Sequence, residues 1–324
     1  MIGKSEVMQQ LAERVKAAAR INGSVLVTGE TGSGKELVAR AIHKHSDRAS
    51  KRFVAIDCGA LPEDLIESEL FGFKRGAFTS AVADKSGLFE EANGGTLFLD
   101  EIANTSRRFQ AKLLRALQER QIRRIGDTIY RQLDIRVIAA TNRNLRSLVM
   151  QGDFREDLFY RLSVFAIQVP PLRNRLDDIP LLAEAMLQGR KQISEDALAK
   201  LQLYDFPGNV RELENIIESA VYTASTDTIE ESDIVLPDGA PIGPVEVLPV
   251  DNFWDSIARP YADRLITRVH VENVVRRGLQ QVHGSYRRLV RLFNLPDSDY
   301  KRFMDFLRRH RCNVDYRQYR RKPD

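Results

Sequence analysis

The chain has 324 residues, 43% of them apolar and 29% charged, an ordinary globular balance with length enough for two or three domains. No run approaches the ~18 consecutive apolar residues of a membrane helix, and the N-terminus lacks the apolar core of a secretory leader, so no membrane association is expected and the cytoplasm is the expected location. The net charge of +4 conceals a gradient: residues 251–324 hold 17 Lys and Arg against 9 Asp and Glu, whereas the preceding 250 residues hold 32 against 36.

A basic end on a mildly acidic body points to a polyanionic partner, or to a solvated basic helix pair without one. Cys58 lies in an apolar strand-like run and Cys312 in the basic tail, which argues against a disulfide framework. The five histidines are scattered, so no metal-ligating cluster is expected.

In chain order, "SVLVTG", "FVAIDC", "GGTLFLDE" and "DIRVIAATN" are short β-rich runs separated by amphipathic helical stretches, the pattern of buried parallel strands in an α/β fold. After "VPPLRNR" the period turns helical, through "DDIPLLAEAML", "SEDALAKLQLY" and, behind the turn Phe206-Pro207-Gly208-Asn209, "NVRELENIIESAVYTA". Residues 237–252 hold four prolines and two glycines without a period and are expected to form a linker. The expected organisation is therefore an α/β unit over 1–170, a small helical subdomain over 171–236, the linker, and a helical tail over 253–324.

The first run ends in "GETGSGKE", residues Gly29, Glu30, Thr31, Gly32, Ser33, Gly34, Lys35 and Glu36, with a helix expected from Glu36 to about Lys44. A strand, a glycine-rich turn and a helix start form the setting of a phosphate-binding loop. Glycines let backbone N–H groups converge, the helix start adds partial positive charge, and Lys35 reaches the outer phosphates. Glu36 stands where the general pattern has a Ser or Thr for magnesium. "TLFLDE" ends in Asp100 and Glu101, suited respectively to the Mg²⁺ shell and to polarising an attacking water. Asn142, at the end of "IRVIAATN", is a candidate γ-phosphate sensor, or else a turn cap. Arg155 and Arg161 in "GDFREDLFYRL" are either surface ion-pair partners or arginine fingers donated to a neighbouring subunit, and Arg211 is a candidate contact to the chain's own nucleotide.

Taken together, "GETGSGKE", "ESELFGFKRGAFTSA", "GGTLFLDEI", "VIAATNRNL", "GDFREDLFYRL" and "FPGNVRELEN" resemble, in order and spacing, the AAA+ domain of bacterial enhancer-binding proteins. These are sigma-54-dependent transcription activators of the nitrogen-regulatory and phage-shock type. The resemblance covers residues 1 to about 236 and implies an AAA+ P-loop ATPase with a helical lid. It further implies ATP and Mg²⁺ as cofactors, the sigma-54 RNA polymerase holoenzyme as partner, and a hexameric or heptameric ring. Within that ring Arg155 and Arg161 are the fingers and Arg211 the second sensor. Glu36 is as the family has it.

The family's Gly-Ala-Phe-Thr-Gly-Ala loop touches sigma-54 when ATP is bound, which assigns Phe78 and Thr79 of "RGAFTSA" to that contact. Small neighbours let such a loop bend and an exposed aromatic gives a compact anchor. Ser80 replaces the loop's second glycine and is expected to retune the contact. Asp57 stands where the family often has an asparagine restraining the catalytic glutamate, and repulsion between Asp57 and Glu101 is expected. The family's central domain starts at "MIGKSEVM", which leaves regulation by a separate partner or removal of a sensor domain as alternatives.

In the tail, the run from His283 reads as a helix, a break at Pro296 and a second helix. Leu289, Leu292 and Phe293 line the first helix, and Tyr300, Phe303, Met304 and Leu307 form one stripe of the second. Lys301, Arg302, Arg308 and Arg309 lie off that stripe and are the candidate contacts to double-stranded DNA. The tail is similar to the Fis-type helix-turn-helix that ends these activators, with Leu289-Val290 and Asn294 in place of its alanine-rich helix and turn glycine. A hairpin that packs on the ring or dimerises is the alternative. Trp254 is the expected anchor of a preceding dimer helix.

Overall fold

A computed structural model describes residues 2–60, 62–79, 81–237, 252–262, 268–310 and 312–314. Nearly all of the expected linker, and Ser80, lie outside the described residues. The chain divides into two units, residues 1–185 with 206–215, and residues 186–205 with 216–324.

The first unit is built on five parallel strands: β1 (Val25–Thr28), β2 (Phe53–Asp57), β3 (Thr96–Asp100), β4 (Arg136–Thr141) and β5 (Phe165–Gln168). Their order across the sheet is β2-β3-β4-β1-β5. Side chains alternate between two faces of a strand, and the cores divide accordingly. Val25, Val27, Phe98, Ile138 and Ala140 join Met8, Leu11, Val38 and Ile42 on one face, whereas Leu26, Leu97, Leu99, Val137 and Ala139 join Leu70, Phe109, Leu113 and Leu158 on the other. A sheet buried on both faces explains why these strands read as continuous apolar runs. The four expected strands are present; β5 was not anticipated, because only its Ile167 is fully buried and Phe165–Gln168 therefore does not read as an apolar run.

The register sets the functional edge. Thr28 aligns with Thr141 and Asp57 with Asp100, so the chain leaves β1, β2, β3 and β4 on the same side. In parallel sheets that carboxyl edge is where ligands bind.

The stretch around Phe78 rests on a paired base. Gly72–Phe73 and Lys85–Ser86 form a two-residue antiparallel ladder, and Phe73 bridges to Ile125 in the hairpin whose strands are Gln121–Ile122 and Arg131–Gln132. Lys74 N donates to Ile125 O and Ile125 N to Gly72 O, each at 2.9 Å. Gly72 has φ of 73°, and a Cβ there would lie 2.5 Å from Lys85 O, so only glycine fits. Arg124 of the hairpin donates to both oxygens of Glu90 at 2.6 and 2.7 Å.

In the second unit, Ser194 caps the helix Glu195–Gln202, and Gln192–Ile193 pairs in parallel with Thr228–Ile229. The tail has its own core of Phe253, Val271, Val275, Leu289, Phe293, Phe303 and Leu307. Its helices are Arg268–Gln281, Tyr286–Leu292 and Tyr300–Arg309. The first helix of the pair, expected from His283, begins instead at Tyr286, because Ser285 caps it by accepting from Arg288 N, while His283 and Gly284 take φ of 53° and 76°. After Leu292 the chain closes with Leu295 N donating to Val290 O at 3.0 Å and Asn294 at φ of 50°. Asparagine tolerates this left-handed position better than most residues other than glycine.

Phe253 is fully buried and stacks on Phe293 at 5.5 Å, while Trp254 Nε1 donates to Asp299 at 2.8 Å. Trp254 thus anchors its segment onto the helix pair.

The tail core and the Glu90–Arg124 pair are each open to a single-substitution test. A Cβ at Gly278 would fall 2.3 Å from Leu289 Cδ1 and 3.0 Å from the Phe293 ring, so Gly278→Ala is expected to destabilise the tail by about 1–3 kcal/mol. The chain's single tryptophan lies in this core, so urea titration followed by its fluorescence reads the loss directly, and an unchanged midpoint contradicts the packing. The Arg124 guanidinium holds the Glu90 carboxyl below its ordinary 4.5. A depressed carboxyl contributes stability above its unfolded value and loses it as pH falls through the lower folded value. Glu90→Gln should therefore cost about 1–3 kcal/mol at neutral pH, with the difference from the unaltered chain vanishing in melts taken progressively below pH 4.5.

Candidate functional site

The loop after β1 needs glycine at two positions. Gly32 and Gly34 have φ of 73° and 100°, a region that only glycine enters cheaply. A Cβ at Gly32 would also meet Gly208 O at 2.2 Å, whereas one at Gly34 would meet nothing within 4 Å. The helix that follows runs Lys35–Lys44 and has no side-chain cap, so its first-turn N–H groups and the positive end of its dipole are offered to an anion. It starts one residue before the expected Glu36.

Lys35 is 6% exposed. Its Nζ lies 3.2 Å from Gly29 O, 3.4 Å from Glu30 O and 3.1 Å from Glu101 Oε1. Glu101 takes φ of 48°, which turns its side chain across the strand ends, and its Oε2 accepts from Asn142 N at 3.2 Å. Asn142 Nδ2 in turn donates to Thr31 Oγ1 at 2.9 Å. The ends of β1, β3 and β4 are thereby joined around one carboxylate. Glu101 N donates to Asp100 Oδ1 at 2.9 Å. Burial pushes the Asp100 carboxyl above its ordinary value, and the charges of Glu101 and Asp57 add to that, against the Glu101 N–H bond and Lys35.

Three groups fit a polyphosphate with its cation. They are the uncapped helix start, the buried Ser33 Oγ, which has no hydrogen-bond partner among the described residues, and the half-buried Asp100 with its raised carboxyl, a group that gains from a nearby cation.

Other expected residues distribute as follows. Glu36 turns its carboxylate to Arg40 at 2.9 and 2.7 Å, so only its backbone belongs to the loop. Arg211 is exposed and stands beside the loop, its Cβ 3.1 Å from where a Gly32 Cβ would lie. Asp57, the residue expected to repel Glu101, closes β2. Its Oδ1 accepts from Gly59 N at 2.7 Å, and its register partner is Asp100, because parallel pairing places the two strand-end aspartates side by side. Burial drives the Cys58 thiol up to about 12, and the charges of these two aspartates add to it.

Arg155 pairs bidentately with Asp157 at 3.0 and 2.7 Å. Arg161 donates to Leu117 O at 2.8 Å and lines a cleft with Ser24, Ile135 and Val164, at the amino ends of the strands. That is the sheet edge opposite Lys35 and Glu101.

Phe78 is 40% exposed, with one edge contact to Phe73 at 4.9 Å, and Thr79 is exposed. The turn closes through Gly76 N to Ala81 O and Ala81 N to Phe78 O, both 2.9 Å. In the tail, Lys301, Arg302, Arg308 and Arg309 are all exposed. The Arg302 guanidinium lies 4.2 Å from the Trp254 ring.

Sequence reasoning missed Arg173, Arg175 and Asn209. Arg173 grips Glu30 at 2.7 and 2.5 Å, Arg175 donates to Ser33 O at 3.0 Å, and Asn209 donates to Glu30 Oε2 and Thr31 O at 3.2 and 3.0 Å. The available signal was a pair of arginines directly behind a strand, in "PPLRNR".

Comparison with known proteins agrees with this geometry. The model of the Sigma-54 interaction domain matches residues 1–168, and that of the AAA+ ATPase lid domain matches residues 173–237. The chain is 50% identical over 243 residues to a Nif-specific regulatory protein of Enterobacter agglomerans, covering 73% of this chain and 47% of that protein. It is 44% identical over 266 residues to the response regulator protein PilR of Pseudomonas aeruginosa, covering 79% and 60%. Among solved structures it is similar to NtrX from Brucella abortus, crystallised in complex with ATP, with a TM-score of 0.70 and 33% identity over 95% of this chain and 69% of that one. The chain spans about half the length of the curated relatives it matches. With P-loop, strand-end carboxylates and lid in the family's order, the chain belongs to the sigma-54 interaction domain family of AAA+ proteins.

Proposed function

We propose that the chain hydrolyses ATP in a ring and uses the cycle to remodel the sigma-54 RNA polymerase at a promoter in the cytoplasm, tethered to double-stranded DNA by its tail. The observation that carries this reading is the Glu101 carboxylate, held between Lys35 and the Asn142 backbone at the mouth of a phosphate-binding loop. ATP enters with its outer phosphates against the Lys35–Lys44 helix start, where Lys35 and the loop N–H groups neutralise charge. Glu101 orients a water and takes its proton as the water oxygen bonds to the γ-phosphorus and the bond to the β-bridging oxygen breaks, releasing ADP and phosphate. Asn142 senses the γ-phosphate, and Arg211 contacts the chain's own nucleotide from the turn after Phe206. Asp100 would hold Mg²⁺, which would supply further charge neutralisation.

Arg155 and Arg161 serve the neighbouring protomer of a hexamer or heptamer. The position of Arg161 at the edge of the sheet away from its own loop supports action in trans. Phe78 and Thr79 are the sigma-54 contact. In the tail, Lys301, Arg308 and Arg309 meet DNA together with Arg302, whose stacking on Trp254 fixes its direction.

Two experiments test the reading. Arg161→Ala is expected to retain nucleotide binding while hydrolysis falls by about 10³-fold, and turnover per chain in the unaltered protein should rise with protein concentration. Turnover independent of concentration contradicts the ring. Phe78→Ala is expected to lose ATP-dependent promoter opening by sigma-54 holoenzyme to a far greater extent than it loses hydrolysis. If opening survives the substitution, Phe78 is not the sigma-54 contact; if the unaltered chain opens nothing, a DNA-binding regulator that does not act through sigma-54 becomes the better reading.

A further inference from the structure

We infer that Arg173 and Asn209 are positioning residues for the phosphate-binding loop, gripping its outer side so that the N–H groups of Gly32 and Gly34 face the phosphates. The inference rests on the nucleotide-binding reading of that loop.

The grip falls on consecutive carbonyls. Thr31 O accepts from Asn209 Nδ2 at 3.0 Å, Gly32 O from Val210 N at 3.0 Å, and Ser33 O from Arg175 Nη2 at 3.0 Å. In a planar trans peptide the C=O of one residue and the N–H of the next point in opposite directions. Carbonyls of Thr31 and Ser33 held outward therefore aim the N–H groups of Gly32 and Gly34 inward, the arrangement that receives an anion.

Glu30 is the handle. Its carboxylate takes both terminal nitrogens of Arg173, at 2.7 and 2.5 Å, and accepts from Asn209 Nδ2 at 3.2 Å, while its carbonyl lies 3.4 Å from Lys35 Nζ. Asn209 is wholly buried, with φ of 56°, and its Oδ1 accepts from Leu172 N at 2.8 Å, the residue beside Arg173. One asparagine thus ties the loop to the segment that carries its clamp. The Arg173 and Glu30 side chains are 40% and 43% exposed, so as a stability device the pair is weak. Its effect belongs to nucleotide affinity instead.

The test uses the full chain and mant-ADP with Mg²⁺, titrated by fluorescence, in the unaltered protein, Arg173→Ala, Glu30→Ala, the double substitution and Arg173→Lys. Each alanine variant is expected to weaken binding by about fivefold, equivalent to about 1 kcal/mol at 25 °C. The double variant should be no weaker than either single one, Arg173→Lys should recover part of the loss because it keeps the charge without the fork, and thermal melts should not move. Unaltered affinity in both alanine variants, or additive losses, would overturn the inference. So would tighter binding by Glu30→Ala beside weaker binding by Arg173→Ala, which would make Arg173 a phosphate ligand that Glu30 restrains. Failure of the unaltered chain to bind mant-ADP overturns the nucleotide reading and this inference together; normal binding with uncoupled variants overturns this inference alone.

Discussion

A buried ammonium must have a counter-charge, and in this chain the Lys35 ammonium finds it in Glu101. An isolated charge taken out of water costs several kcal/mol even after relaxation, so the end of β3 is obliged to meet the loop after β1. The parallel register delivers that meeting, and the left-handed backbone at Glu101 turns the side chain across the strand ends. A triphosphate entering the loop offers Lys35 a stronger partner than one carboxylate. On the proposed reading, binding therefore also releases Glu101 from Lys35 towards water, which couples occupancy of the loop to readiness for hydrolysis.

The same economy governs the Phe78 turn. Its base is tied by the Gly72 ladder, the Ile125 bridge and the Glu90–Arg124 pair, whereas the Phe78 ring itself has, among the described residues, one aromatic contact, its edge against Phe73. Such an aromatic contact is worth about 0.5–1.5 kcal/mol. A partner surface that buries the ring more fully can replace it, while the paired base keeps the turn in place.

In the tail, a small helical unit gains its core from Phe253, which packs on Phe293 and Phe303. Trp254 then reaches Asp299 and Arg302. The segment before the helix pair is therefore part of that pair's structure, and it orders one of the four exposed cations of the Tyr300–Arg309 helix without burying the others.

Local order in the chain was enough to locate the glycine loop, the carboxylates closing an apolar strand, Asn142, four of the five parallel strands and the helical lid. Each is a short-range pattern: a run of apolar residues, a turn residue at a fixed offset, a period of 3.6. What depended on distant partners was not legible. Strand β5, the neighbour of Asp57, the clamp of Arg173 on Glu30, the bridge made by Asn209 and the edge to which Arg161 belongs all join residues far apart in the chain. Sequence by itself determined the chemistry available, because side-chain type and the glycine backbone carry it. Tertiary structure alone decided which charges face one another, because that is set by strand register and by the need of each buried polar group for a partner.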